Sequence, residues 1–573
     1  QIGVAAPVVG VMLHATSDMA FGAPTQKPER AAADFQSAKT VPADKPTKPA
    51  GEPKEGGTLT VGTNEEPDTL NPWLTQLVTG TDVVVGVIDP LLAYDSNEKL
   101  QPALATEMSV SKDGLTYTFT LRDGVTFHNG DKFSGDDVVN SWKMIMNPDF
   151  GAFNTNGWDK VTDIKVDGNT LVMTTKEVYA PFLSYVGPTS IVPTSSLKAG
   201  ADKFKQDYGR APIGTGPFKF NQWQAKQQIT LDRFDGYWGN KPKLDKIVYK
   251  VVPDDNTQLV QLRTGEIQLC GSAGALPATR VDEALGIPNV TVLEHATQAW
   301  NHIDLKQWDF LRMTKVRQAL DFATPSQQII DKLLNGRALP SVADQAPGTW
   351  AFDDSIKPRP YDLDQAKKLL ADAGLTPGTG GTLQGKVPTK DPNVGDGEVK
   401  PFELELWYVS GSSDAERIAQ VIGQSWNSIG VKTTLKNQDV STIWGPEGYQ
   451  FTKNMTGCLF SWFNGNDPTD TFYWASSQIP KTPTGTGGNL PAYFFKYSFQ
   501  DQIDKLCAEG DTTVDQDARK KIYAQIQALL HEEAPVVFIY WGKAFPAVDN
   551  NIGGFWPSAF TNLMWNAQDW YLT

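Results

Sequence analysis

Polar and apolar positions alternate most regularly over Thr116–Leu121, where Tyr117, Phe119 and Leu121 interleave with threonines, the period of a half-buried strand. Asp113-Gly114 before it and Asn129-Gly130-Asp131 after the next short strand read as turns. Ser134 then starts a helix, with Asp136 and Asp137 in the first turn, where the dipole favours negative charge. Val138, Val139, Trp142, Ile145 and Met146 form its apolar face, and Asn147-Pro148 ends it. Three further helices follow the 3.6-residue period. One is capped by Asp362 and closed by Gly374, one spans Ala415–Ile429 before Gly430, and one spans Gln516–Glu533 before Pro535. From Gly56 onward such helices alternate with strands in the α/β manner. The apolar, β-prone runs Thr297–Leu305 and Ala534–Trp541 are expected to be long strands. The Gly- and Pro-rich stretch Thr376–Pro401 reads as a long loop, and Thr25–Glu55, with scarcely any large apolar residue, as a tether.

At 573 residues the chain exceeds one core and implies two or three domains. A net charge of −15 argues against nucleic acid, whose binders carry basic stripes. No apolar run is long enough to span a bilayer, although Ile2–Leu13 has the character of a signal-peptide core. No cysteine near the start would carry a lipid, so an anchor is not expected. Of the three cysteines, Cys270, Cys458 and Cys507, at most two can pair, and neither a CxxC nor a Cys/His cluster suggests metal. The string Lys390–Glu398 fails as a calcium loop because Phe402 stands where a bidentate glutamate is needed. No nucleophile elbow, HExxH, phosphate loop or dinucleotide fingerprint is present. A hydrolase using a carboxylate pair is a remote alternative; the reading is of a non-enzyme without cofactor.

Several strings carry a resemblance. Leu104–Pro148, the segment with the strand and helix above, is similar to the signature of family 5 extracellular solute-binding proteins of bacterial ABC importers. GGTLTVGTNEEPDTLNPW (Gly56–Trp73), PIGTGPFKF (Pro212–Phe220) and GYWGNKPKLDKIVYKVVPD (Gly236–Asp254) resemble further markers of that family. LVQLRTGEIQL, KVRQALDFA, YDLDQAKKLLADAGL, RIAQVIGQSWNSIGVK and APVVFIYWG follow in the same order. The resemblance implies an α/β, two-lobed periplasmic-binding-protein fold with an extra subdomain inserted in lobe I and two hinge crossings. Lobe I would take residues 56–97, 205–297 and 541–573, the insert 98–204, and lobe II 298–540, after a signal-like and disordered segment 1–55. It also implies an extracytoplasmic monomer that captures a peptide-like ligand between the lobes and passes it to the membrane permease of an ABC importer. An oligosaccharide or other solute is the alternative cargo.

Three segments are expected at the cleft. The loop after the first strand offers Asn64, Glu65, Glu66 and Pro67, at the strand end where α/β folds bind ligands. The first crossing offers Trp300 and Asn301. The third, CLFSWFNGNDPTDTFYW (Cys458–Trp474), resembles the family segment whose aspartate pairs with a peptide's α-ammonium group; aligned on Asp467-Pro468, that position holds Asn464. An amide donates and accepts, and suits a hydroxyl or a blocked amine better than a free ammonium. Asp467 or Asp470 is the substitute carboxylate, although Asp467 also suits its own turn before Pro468. The aromatic residues Trp407, Tyr408, Trp444, Trp462 and Phe463 complete the candidate set and make sugar stacking credible.

Overall fold

The computed structural model describes residues 39–198, 200–271, 276–410, 412–483 and 487–573. Among these, one 13-stranded sheet runs through the molecule; ten strands follow the order Lys432–Gln438, Glu403–Val409, Thr456–Phe463, Val290–Leu305, Ala547–Asp549, Leu269–Cys270, Thr58–Thr63, Lys246–Val251, Gln228–Arg233, Phe218–Gln224, and Val41–Pro42, Ala338–Pro340 and Val536–Ala544 pair off this path. Its centre is the 16-residue strand Val290–Leu305. The N-terminal end of this strand pairs with Ala547–Asp549, and its C-terminal end with Thr456–Phe463. Val536–Ala544 runs antiparallel beside it, with register shifts between Ala296 and Trp300 and between Asn301 and His302. Both crossings are longer than their apolar runs because the ladder carries polar residues such as His295 and Lys543 as well.

The hydrophobic cores change along these two strands. One core draws on residues from Leu59 to Leu293 and resumes at Val548, and a smaller one joins Leu259–Val292 to Phe545 and Ala547. The other two begin at Trp300 and Ile303 and end at Trp541 and Ile539. Each half also contains parallel strands: Thr58–Thr63 beside Lys246–Val251, and Glu403–Val409 beside Lys432–Gln438.

A separate four-stranded sheet, ordered Ala105–Val110, Thr116–Leu121, Thr170–Thr175, Val161–Asp167, lies within the first half. In the strand Thr116–Leu121 the buried positions are Tyr117, Phe119 and Leu121, as their alternation requires. The helix Gly135–Met146 opens on a capping box between Ser134 and Asp137 and buries Val138, Trp142 and Ile145. The string Pro212–Phe220 runs tightly against the end of the helix Val78–Val87. A Cβ at Gly214 would lie 2.0 Å from the Val87 carbonyl oxygen, so no side chain fits there.

Two expectations are corrected. Thr376–Pro401 is no loop: Thr376–Pro377, Leu383–Pro388 and Gly395–Pro401 form a three-stranded sheet, with Asp396 Oδ1 accepting from the N–H and hydroxyl of Thr389. Residues 39–55 do not hang free. Val41–Pro42 pairs in parallel with Leu293–Glu294, Thr47 exchanges backbone bonds of 2.8 Å with Gly554 and Phe555, and Lys54 N donates to Leu572 O at 2.8 Å. An extended, Pro-rich strap docks through its backbone and needs no apolar period, which is why composition does not reveal it. The signal-like stretch Ile2–Leu13 and the tether up to residue 38 lie outside the described residues. Cys270, Cys458 and Cys507 are each buried and unpaired, in place of the one disulfide their number allows. No helix of the described residues is long and apolar enough to cross a membrane.

Candidate functional site

The junction encloses a cavity of about 240 Å³. Leu276–Ala278 close it from the first half. Thr297, Ala299 and Asn301 come from one crossing strand, and Tyr540, Gly542 and Lys543 from the other. The second half adds Leu459, Ser461 and Phe463 from one strand, with Ser412, Ala415 and Ile418 from the start of the helix Ser413–Ser428. Strand pairing fixes this geometry: Asn301 lies opposite Ser461 and Ala299 opposite Phe463, so alternate residues share the cavity face. Ser461 Oγ donates to Asn301 Oδ1 at 2.5 Å. Thr297 Oγ1 donates to Gly542 O at 3.0 Å and ties the two crossings together.

The halves also bond directly. Arg337 reaches across to the carboxylate of Asp282 and to Ala278 O, the latter at 2.9 Å. On the far side of the crossings Ala180 N donates to Asp511 O at 2.7 Å, and Asn466 Nδ2 to Phe560 O at 3.0 Å. Trp350 N donates to Glu98 Oε2 at 3.3 Å. Burial there, reinforced by the charge of Asp467 and only partly offset by the Trp350 bond, raises the Glu98 carboxyl to about 7.

Of the residues singled out from sequence, the structure brings Asn301 and Phe463 to this cavity. Trp300 is buried against Tyr473, Trp474 and Phe538, and its indole N–H donates to Asn464 Oδ1 at 2.8 Å. Asn464 Nδ2 in turn donates to Asp344 O at 2.6 Å, so both ends of this amide are already engaged. Asp467 is corrected as a free carboxylate: Arg519 clamps both its oxygens at 2.8 and 2.7 Å, and the pair is buried. Its Oδ1 also accepts from Thr469 N, the turn role expected before Pro468.

Asp470 is likewise unavailable. It is 1% exposed and accepts from Gln345 Nε2 at 2.7 Å. Its other oxygen and Asp344 Oδ1 have no donor among the described residues, and the two carboxyls face each other. Burial raises both groups, Asp470 the more strongly because the charge of Asp344 adds to the effect.

The remaining aromatic candidates pack on one another. Trp462 meets Trp444, Phe460 and Phe472; Trp407 is buried, with its N–H on Glu405; Tyr408 lies in the neighbouring core. Glu66 sits at the expected strand end, but its Oε1 accepts from Trp223 Nε1 and Lys226 N at 2.8 and 2.9 Å. Asn64 is half-buried in the same loop. Sequence reasoning missed Leu276, Arg337, Ser412 and Tyr540. Only Ser412 carried a local signal, as the cap before the Ala415–Ile429 periodicity.

Two halves with separate cores, joined by two antiparallel strands over a cavity, define a protein built to enclose a small ligand rather than to present a flat interface. The comparisons agree. The profile of bacterial extracellular solute-binding proteins, family 5, matches residues 99–481, and the chain belongs to that family. The oligopeptide-binding protein AppA of Bacillus subtilis is 27% identical over 537 residues, covering 92% of this chain and 93% of that one. The heme-binding protein A of Haemophilus influenzae is 28% identical, covering 80% and 82%. The Escherichia coli dipeptide-binding protein is 27% identical, covering 87% and 92%. Among solved structures, B. subtilis AppA in complex with a nonapeptide superposes with a TM-score of 0.73 at 25% identity, covering 91% of this chain and all of that one. CtaP of Listeria monocytogenes gives 0.77 at 24%, which speaks to the fold alone. These relatives are binding proteins, and the family is extracellular by definition.

Proposed function

We propose that this protein captures a peptide-like solute in the cavity between its halves and hands it to the membrane permease of an ABC importer. The observation that carries the reading is the cavity on the two crossing strands, in a chain whose relatives include oligopeptide- and dipeptide-binding proteins. The Arg337–Asp282 and Ala180–Asp511 contacts must break for a solute to enter and re-form around it. Ligand therefore favours the closed arrangement, and the permease reads the closed surface. The packing of Trp407, Tyr408 and Trp462 into cores leaves Phe463 as the candidate ring at the cavity, which favours a peptide-like cargo over an oligosaccharide. Small-angle scattering with and without a saturating peptide pool tests the reading. A smaller radius of gyration with peptide supports it; an unchanged radius despite a calorimetric binding signal counts against capture by closure.

A further inference from the structure

The cavity wall is unusual in its charge. Arg337 is neutralised by Asp282, and Lys543 by Glu294 at 3.4 Å. Asp414, which also borders the cavity, has an interaction partner of its own. Among the described residues every charged side chain on the wall is thus engaged. The carboxylates expected to hold an amine are elsewhere: Asp467 is clamped by Arg519, and Asp470 is buried under Gln345 and does not line the cavity. What faces the space is apolar surface from Leu334, Ile418, Leu459 and Phe463, together with two neutral groups without a hydrogen bond among the described residues, Asn301 Nδ2 and the Tyr540 hydroxyl.

From this we infer that the cavity takes an uncharged, largely apolar group, held by hydrogen bonds from Asn301 and Tyr540. For a peptide-like cargo this means a blocked terminus or an apolar side chain, not a free α-ammonium or carboxylate. The inference rests on the solute-capture reading above and narrows its cargo. A free ammonium entering this space would lose its water and meet only Asp414, a carboxylate that already has a partner, at a cost that apolar contact does not recover. An acetyl or amide cap would instead leave its carbonyl for Asn301 and Tyr540, both of which donate.

Calorimetry and thermal shift on the full chain decide it, with three probes: acetyl-trileucine-amide, trileucine with free termini, and maltotriose. The capped tripeptide is expected to raise the melting temperature and to bind at least about tenfold more tightly than the free one. Ser412→Asp keeps a good helix cap and adds a carboxylate at the cavity rim, so it should narrow or reverse that ratio. Phe463, 37% exposed, is replaceable without loss of core, and Phe463→Ala should weaken the capped ligand alone. Equal or tighter binding of free trileucine to the wild type overturns the inference while leaving peptide capture intact. A response to maltotriose alone overturns both. Absence of response to all three probes overturns the inference as well.

Discussion

The Asp467–Arg519 pair gives the sharpest test of how the site is built. Arg519 Nη1 and Nη2 donate to the two carboxylate oxygens of Asp467, Nη2 also donates to the Tyr523 hydroxyl at 2.7 Å, and Nε donates to Gly510 O at 3.0 Å. The guanidinium lies 5.4 and 5.3 Å from the ring centres of Trp350 and Tyr523. Burial opposes its charge, but the bonds and charge of Asp467 outweigh that, and Arg519 stays protonated above its ordinary range. In Asp467→Asn the charge disappears and an N–H₂ group faces the N–H fork, leaving a buried cation without a partner. Breaking a buried pair in this way costs about 3–5 kcal/mol, whereas replacing both members by apolar residues of similar volume is often neutral. Urea unfolding followed by tryptophan fluorescence should therefore show a large drop in midpoint for Asp467→Asn and substantial recovery in Asp467→Leu/Arg519→Met. The opposite pattern would refute the reasoning: an unchanged midpoint with a lost thermal response to peptide would make Asp467 a ligand carboxylate.

Other expectations follow from the same contacts. Removing residues 1–54 should destabilise the protein by on the order of 2 kcal/mol, because the strap's backbone bonds to Glu294, Gly554, Phe555 and Leu572 each contribute roughly 1 kcal/mol before ordering costs; equal melting temperatures would show that the strap is passive. Asp470→Asn should raise the melting temperature, and more so as pH rises from 5 to 8. The sign follows from the raised carboxyl: the wild-type fold is penalised as pH climbs above the ordinary carboxylate value, and an amide N–H supplies the missing donor to Asp344 Oδ1 at every pH. A variant less stable than wild type across that range would refute the raised carboxyl. Asn464→Asp should cost about 1–3 kcal/mol by orphaning the Asp344 carbonyl, without improving binding of free-amine peptides. A gain in free-amine affinity at unchanged stability would return position 464 to the ligand.

The elements with strong local signals are legible in the sequence. The strand Thr116–Leu121, the helix behind Ser134 and the helix Gln516–Glu533 each need only periodicity and a cap, because those forces act between residues a few positions apart. The run Thr297–Leu305 likewise announces a strand, but its extension back to Val290 depends on Ala547–Asp549 and the strap, which are remote in sequence. The three-stranded sheet inside Thr376–Pro401 is not legible, because Gly and Pro mark turns and say nothing of the short strands between them.

At the site the division is starker. Sequence determined that Asn464 stands where a carboxylate was expected, and that aspartates and aromatic rings crowd the same segment. Tertiary structure alone decided which of them are spent: Arg519, about fifty positions along the chain, neutralises Asp467; Gln345 covers the buried Asp470; and Trp300 occupies Asn464. A carboxylate's availability depends on partners within a few ångströms, and the fold draws those partners from separate stretches of chain. The marker strings therefore identify a binding protein through their resemblance to a family, while the charge its cavity offers a ligand emerges only once Asp282 meets Arg337 and Glu294 meets Lys543.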